Sequence, residues 1–253
     1  MAVAFSQSGE ELIKQFDLKL YRPDQLGLKD FRVDLNIPST TEKLKEQKIF
    51  GDLKKVIFQI YWQQPDKIDV HIIGMPKGFL EVKRQLQMQI ASRIEYLIPV
   101  PLSEKLKGYK LETEKIKGDK VKVIAKDPTG KMEIQEYHLV FTNKGALQKF
   151  ITFRPVGKEM SNFVLSTRSW SNNKWVIDGL NTTVKLPGGE INTSQTFEYL
   201  TDSGFGLIKK INIKMEQKIN GKTAKEENRM IFSNYKINKG LAGKWFHEHE
   251  SLH

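Results

Sequence analysis

The sequence predicts an α+β, mainly β fold: one large curved antiparallel sheet, a half-barrel of about 11–12 strands, covered by an N-terminal helix and a long amphipathic helix. Three observations predict it. Between residues 55 and 73, KVIFQIYWQQPDKIDVHII, two runs alternate apolar and polar residues on either side of a polar turn. Val56, Phe58, Ile60 and Trp62 recur every second residue, as do Ile68, Val70 and Ile72, so each set lies on one side of a pleated strand. Next, 79–98 places Phe79, Val82, Leu86, Ile90, Ile94 and Leu97 at spacings of three and four, the mark of an amphipathic helix of roughly five turns. Pro99 and Pro101 stop it. Finally, from residue 109 onward nearly every stretch is alternating or β-branched and is bounded by a hairpin-type turn.

Taken in order, Ser8-Gly9-Glu10-Glu11 has the form of a capping box, with Leu12, Ile13 and Phe16 as the inner face of a short helix. A loop over 21–27 leads to a strand at 29–37, where Phe31, Val33 and Leu35 alternate with Arg32 and Asp34; its expected neighbour is the Val56 strand. Ser39-Thr40-Thr41-Glu42 repeats the capping box and is expected to start a lysine-rich helix ending near Gly51. The turn at 63–67 contains Pro65, whose fixed φ suits a turn and whose missing N–H does no harm there. After the 79–98 helix, 102–107 reads as one helical turn closed by Gly108. Strands are then expected at 109–116, 120–126, 132–142, 150–154, 162–170, 175–186, 191–200, 207–217 and 225–237. Short hairpins make neighbours antiparallel, and about a dozen strands are too many for a flat, strongly twisted sheet. No internal repeat and no Pro-, Gly- or Ser-rich linker interrupts the chain, so one domain spanning 1–253 is expected, with 1–8 and 240–253 as flexible ends.

Composition bounds the function. At 253 residues a full hydrophobic core is within reach, and 39% hydrophobic with 28% charged is that of a soluble globular protein. No run approaches the ~18–20 apolar residues of a membrane-spanning helix. The chain has no cysteine, which excludes disulfides, thiol catalysis and cysteine-ligated metals. Ala2-Val3-Ala4 has the small-x-small form of a signal-peptidase site, so a periplasmic or envelope location after removal of a leader is expected, with a cytosolic chain as the alternative. The net charge is +11, and lysines outnumber arginines 34 to 7. Specific nucleic-acid reading leans on the arginine fork and is not expected; lysines interspersed with acids read as a solvated surface with mild attraction for anionic partners.

Among residues that could carry chemistry, His249-Glu250-Ser251-Leu252-His253 satisfies H-E-x-x-H, the zinc-hydrolase pattern, although the motif needs a continuing helix and a further ligand and the printed chain stops at His253. His71 and His138 sit inside strand runs, are expected to lack acidic partners nearby in sequence, and read as surface or satisfied side chains. Gly204-Phe205-Gly206 lacks the third glycine of a dinucleotide fingerprint, and the acids at Glu226-Glu227 sit beside Lys225 and Arg229. Asn181-Thr182-Thr183 and Asn192-Thr193-Ser194 fit the glycosylation sequon, which has meaning only in a secretory pathway. No catalytic set and no cofactor is expected.

At Trp62-Gln63-Gln64-Pro65-Asp66-Lys67, set after an early capped helix and a strand and before a long helix and a meander, the chain resembles the periplasmic lipoprotein carriers LolA and LolB and their superfamily. In that family a strand ends in a polar-x-Pro-x-Lys/Phe turn and the next begins at once; Pro65, Lys67 and Ile68 occupy those positions. The resemblance implies an open half-barrel whose concave face, closed by helices, binds acyl chains. It departs at the family's basic cavity residue: Arg32 is the nearest candidate, and its alternation with Phe31 and Val33 puts it on the opposite, solvated face. The apolar stripes have two readings, a filled core or a cavity lined by Phe58, Ile60, Trp62, Ile68, Val70, Phe79, Leu86, Ile90 and Ile94. With the resemblance, the expected function is a monomeric, non-enzymatic carrier or sensor of a lipid or acylated protein in a bacterial envelope. The alternatives are a metal-dependent hydrolase built on the C-terminal motif and an interaction module whose basic surface meets an acidic partner or an anionic membrane surface.

Overall fold

The computed structural model describes residues 8–249 apart from 52, 92 and 156. The Ala2-Val3-Ala4 site and all of the H-E-x-x-H motif after His249 lie outside the described residues. Within them the chain forms β1 (Asp30–Asn36), β2 (Ile57–Gln63), β3 (Lys67–Ile73), β4 (Lys110–Ile116), β5 (Lys120–Lys126), β6 (Glu136–Phe141), β7 (Leu147–Arg154), β8 (Gly157–Thr167), β9 (Trp175–Leu186), β10 (Gly189–Asp202), β11 (Phe205–Ile219) and β12 (Lys222–Ile237). The helices are α1 (Gly9–Lys19), α2 (Pro38–Glu46), α3 (Leu80–Ala91), α4 (Leu102–Lys105) and α5 (Leu241–His249). The fold class is therefore mainly β with added helices, as expected from the alternation. All twelve strands hydrogen-bond in one series, β3-β2-β1-β12-β11-β10-β9-β8-β7-β6-β5-β4. Every neighbour in the series is also a neighbour in sequence except the pair β1 and β12, which joins the first strand to the last.

The chain divides into two compact units. The first holds the described residues up to Tyr21, with Val100–Thr196 and Ile213–Glu227; the second holds Arg22–Pro99, Phe197–Asn212 and the described residues from Asn228 on. The chain passes between the two five times, so no single linker marks them in the sequence.

In the first unit α1 begins on the expected capping box: the Ser8 hydroxyl accepts from the Glu11 N–H (3.2 Å) and the Glu11 carboxylate accepts from the Ser8 N–H (2.9 Å). Its buried face is Leu12, Ile13 and Phe16, with Phe16 edge-on to Phe141 at 6.1 Å and tilted against Trp175 at 5.8 Å. Next to Phe16 in the chain, the buried Asp17 carboxylate accepts the N–H groups of Leu102 (2.7 Å) and Ser103 (2.9 Å), the first donors of α4. A side chain of α1 thus supplies the cap that α4 does not supply for itself, since its own N-cap is Pro101.

In the second unit four sequence expectations are corrected. α2 does not start on the Ser39 box. Ile37 is its N-cap and Pro38 takes the first helical position, where a missing N–H costs nothing, while the Ser39 hydroxyl donates to Asn228 Oδ1 (2.6 Å). The helix also ends at Glu46 rather than near Gly51. The 79–98 helix is shorter than its periodicity: α3 ends at Ala91, and Ile94 and Leu97 are buried by tight turns in which Arg93 N–H bonds Ile90 O (2.9 Å) and Leu97 N–H bonds Ile94 O (3.0 Å). Finally, the 240–249 stretch, expected as part of a flexible end, is α5. Gly240 N–H donates to Asp30 Oδ2 (2.9 Å) just before the helix, which anchors its start to β1.

The shared cap gives a direct test. Asp17→Ala leaves the buried Leu102 N–H and the part-buried Ser103 N–H without their carboxylate partner and is expected to lower stability by about 2 kcal/mol in urea unfolding. A loss under about 0.5 kcal/mol would mean water replaces the carboxylate.

Candidate functional site

The expected ligand-lining residues fall in the second unit, and most of them meet. On one face of β1–β3, the register places Phe31 opposite Trp62, Val33 opposite Ile60 and Leu35 opposite Phe58; across β2, Phe58 faces Ile72, Ile60 faces Val70 and Trp62 faces Ile68. Such directly opposed apolar pairs are what stabilise a sheet face. Phe31 and Trp62 stack at 5.5 Å. Phe58 and Ile60 have no accessible surface, and Trp62, Val70, Ile90 and Ile94 are also buried. Phe79 and Leu86 are half-buried. Ile68 does not join them: it is 42% exposed, because alternation fixes which side of β3 it points to but not whether anything covers the strand beside the turn.

The cover over this face is uneven. Phe50 and Phe79 meet edge to face at 4.6 Å, and Leu53, Val56 and Met75 are buried beside them in the chain. α3, in contrast, fully buries a single residue, Ile90. Leu80 and Met88 are 74% and 55% exposed, and Val82 and Leu86 are half-buried. A side chain ties the helix to the edge strand: Gln87 Nε2 donates to the Val70 carbonyl of β3 (2.5 Å). That bond occupies an acceptor on an edge strand, which limits pairing there with other chains.

The opposite face of the same strands holds a cluster that the sequence reading missed. Trp245 of α5 lies flat on Tyr61 of β2 at 4.4 Å, with His249 stacked on its other side at 3.7 Å and His71 of β3 tilted against it at 4.9 Å. Its indole N–H donates to Asp69 Oδ2 (2.7 Å). Behind it Tyr61 donates to Gln59 Oε1 (3.1 Å), Gln59 Nε2 donates to Asp34 Oδ1 (3.1 Å) and Asn234 Nδ2 donates to Asp34 Oδ2 (2.9 Å). Burial raises the Tyr61 hydroxyl pKa, which the nearby Arg32 charge partly opposes. Burial also lowers the His71 pKa, and Asp69 works against that shift. Arg32 is on this face, as expected, but it is half-buried rather than solvated, 3.7 Å from Asp34. The signal was present in the sequence: Leu241, Trp245 and His249 recur every fourth residue, a helix face.

His249 is engaged in this stack, with Nδ1 against the Trp245 carbonyl (2.8 Å). Among the described residues no group of three or more His, Asp or Glu side chains is placed to hold a metal ion. His71 and His138 do have acids close in sequence, contrary to expectation: His138 pairs with Glu136 two residues before it on β6, and Asp69 acts on His71. The two sequon asparagines lie on adjacent strands of the first unit, Asn181 opposite Ser194 and Asn192 opposite Thr183, along a shallow groove of about 400 Å³. Asn192 accepts from Thr183 (2.7 Å) and donates to Glu190 (3.0 Å). Glu227 pairs with Lys214 (3.2 Å) and Lys225 with Glu216 (3.3 Å), so these acids are a solvated cross-strand ladder. The chain matches no family model, no curated protein and no solved structure.

The Trp245 stack can be tested apart from any ligand. Trp245→Ala removes the contacts that fasten α5 to β2 and β3, and is expected to cost about 2–3 kcal/mol, less than a fully buried Trp because the side chain is half-exposed. Proteolysis after residue 240 should accelerate in the variant. Unchanged stability would mean that α5 contributes nothing to the sheet.

Proposed function

We propose that the chain is a non-enzymatic carrier or sensor of acyl chains in a bacterial envelope, taking up a lipid or the acyl group of a lipidated protein between the apolar face of β1–β3 and the 79–98 segment. One observation carries the reading: the helix packed on β3, at the edge of the apolar β1–β3 face, fully buries only Ile90 while exposing Leu80 and Met88. A helix of globular proteins gains its stability mainly from the face it packs, so α3 has little holding it in place. The stripe at Phe58, Ile60 and Trp62 is closed to solvent in this conformation, and on this reading uptake requires its cover to move aside. An acyl chain entering there gains about 0.8 kcal/mol for each CH₂ removed from water, enough to offset the displaced contacts without any charged group. The resemblance at Trp62–Lys67 to the LolA and LolB carriers supports the same reading.

Organic extraction of the purified protein followed by mass spectrometry is expected to release bound lipid, and delipidated protein should take up a fluorescent fatty acid. Trp62 should report uptake by a shift of its emission, absent in Trp62→Phe. Ile90→Ala should cost less than about 2 kcal/mol, below the range of packed cores, while raising the rate of uptake. Neither bound lipid nor uptake, together with an Ile90→Ala loss well above that value, would mean that α3 is ordinary core packing.

A further inference from the structure

Two loops of the second unit sit at the end of the β2–β3 hairpin opposite its Gln64–Asp66 turn: 47–55 leads into β2 and 74–79 leads out of β3. They touch. Phe50 and Phe79 are 4.6 Å apart, and Gly74, at φ +89°, lies so close to the Lys55 carbonyl that any Cβ there would collide with it. With Phe50 and Phe79 turned inward, the residues beside them in the chain point out: Ile49 is 64% exposed and Leu80 is 74% exposed. Ile73, next to Gly74, is 41% exposed. Single exposed aliphatic residues are ordinary, but here Ile49 and Leu80 flank the two touching rings and Ile73 ends β3 beside the Gly74–Lys55 contact, so three gather at one tip. Lys48, Lys54, Lys55 and Lys77 are exposed around it, and over 42–55 and 73–84 eight lysines and arginines stand against four acids.

We infer that this tip docks on an anionic lipid bilayer, with Ile49, Ile73 and Leu80 entering the boundary between headgroups and acyl chains and the lysines lying among the lipid phosphates. An aliphatic centre ringed by lysines matches the layering of such a surface, apolar beneath and negative above. Lysine suits a fluid array of phosphates, where a point charge on a flexible stem needs no fixed partner geometry. A protein partner with a defined acidic site would favour the arginine fork and aromatic anchors, whereas beside the exposed Ile49, Ile73 and Leu80 the cations of the two loops are the lysines Lys48, Lys54, Lys55 and Lys77 and, among the described residues, no aromatic side chain is exposed there. The docking surface goes beyond acyl uptake and does not require it: vesicle binding and fatty-acid uptake are read by separate experiments, and either can fail alone.

The chain has no cysteine, so Leu80→Cys gives a single attachment point for an environment-sensitive dye. The labelled protein is mixed with vesicles of equimolar phosphatidylglycerol and phosphatidylcholine, or of phosphatidylcholine alone. Binding and a blue shift of the dye are expected with the anionic vesicles, and much weaker binding with the neutral ones. Unlabelled Ile49→Ser/Leu80→Ser should partition at least about tenfold less, from the loss of two buried aliphatic side chains; both sites are exposed, and an unchanged circular dichroism spectrum will confirm that the fold is kept. Lys54→Gln/Lys77→Gln should narrow the preference for anionic vesicles. No binding to either vesicle, equal binding to both, or binding undiminished in the serine pair would overturn the inference.

Discussion

The pairing of β1 with β2 is the constraint on which the second unit depends. It sets Phe31, Val33 and Leu35 against Trp62, Ile60 and Phe58. Because side chains alternate along a strand, a slip of one residue would send the three apolar side chains of one strand to the other face, where Arg32, Asp34, Gln59 and Tyr61 now lie. The pairing therefore demands two covers of different character. One face needs apolar bulk, drawn from the loop around Phe50 and from the 79–98 segment; the other needs a partner that can satisfy polar groups, and α5 supplies it with an indole that stacks on Tyr61 and donates to Asp69.

These covers are not equally secure. The hold of α5 combines ring stacking, a hydrogen bond to a carboxylate and an anchoring bond from Gly240 to Asp30. α3 fully buries one side chain, Ile90, and is tied to the edge strand by a bond from Gln87. A fold stabilised by the first can tolerate movement of the second, since local opening costs only the contacts of the segment that opens. This difference underlies the reading of the β1–β3 face as a place for an acyl chain, and it leaves the sheet itself unchanged when α3 moves.

Strands were legible because two independent signals agreed, period-two alternation and turn chemistry; 120–126 and 175–186 match the structure end to end. Helix ends were less so. The spacing that puts Ile90, Ile94 and Leu97 on one side persists beyond α3 because tight three-residue turns bury the same positions without an α-helix. At 38–42 two start signals compete, and Pro38 at the first helical position prevails over the Ser39 box. Of the candidate site, the face was readable and the burial was not. Alternation put Ile68 on the same side as Val70, yet only packing from another element decides that one is exposed and the other buried. The α5 cluster went unread because Trp245 and His249 are separated from Tyr61 and Asp69 by over 170 residues, and because the histidines drew attention as metal ligands rather than as rings on a helix face.

Hydrogen exchange tests most directly whether α3 is a displaceable cover. The account predicts that amides of 80–91 exchange far faster than those of β1 and β2, and that adding a fatty acid slows exchange in 80–91 and in the strands beneath. Protection of α3 equal to that of β2, unaltered by fatty acid, would contradict it.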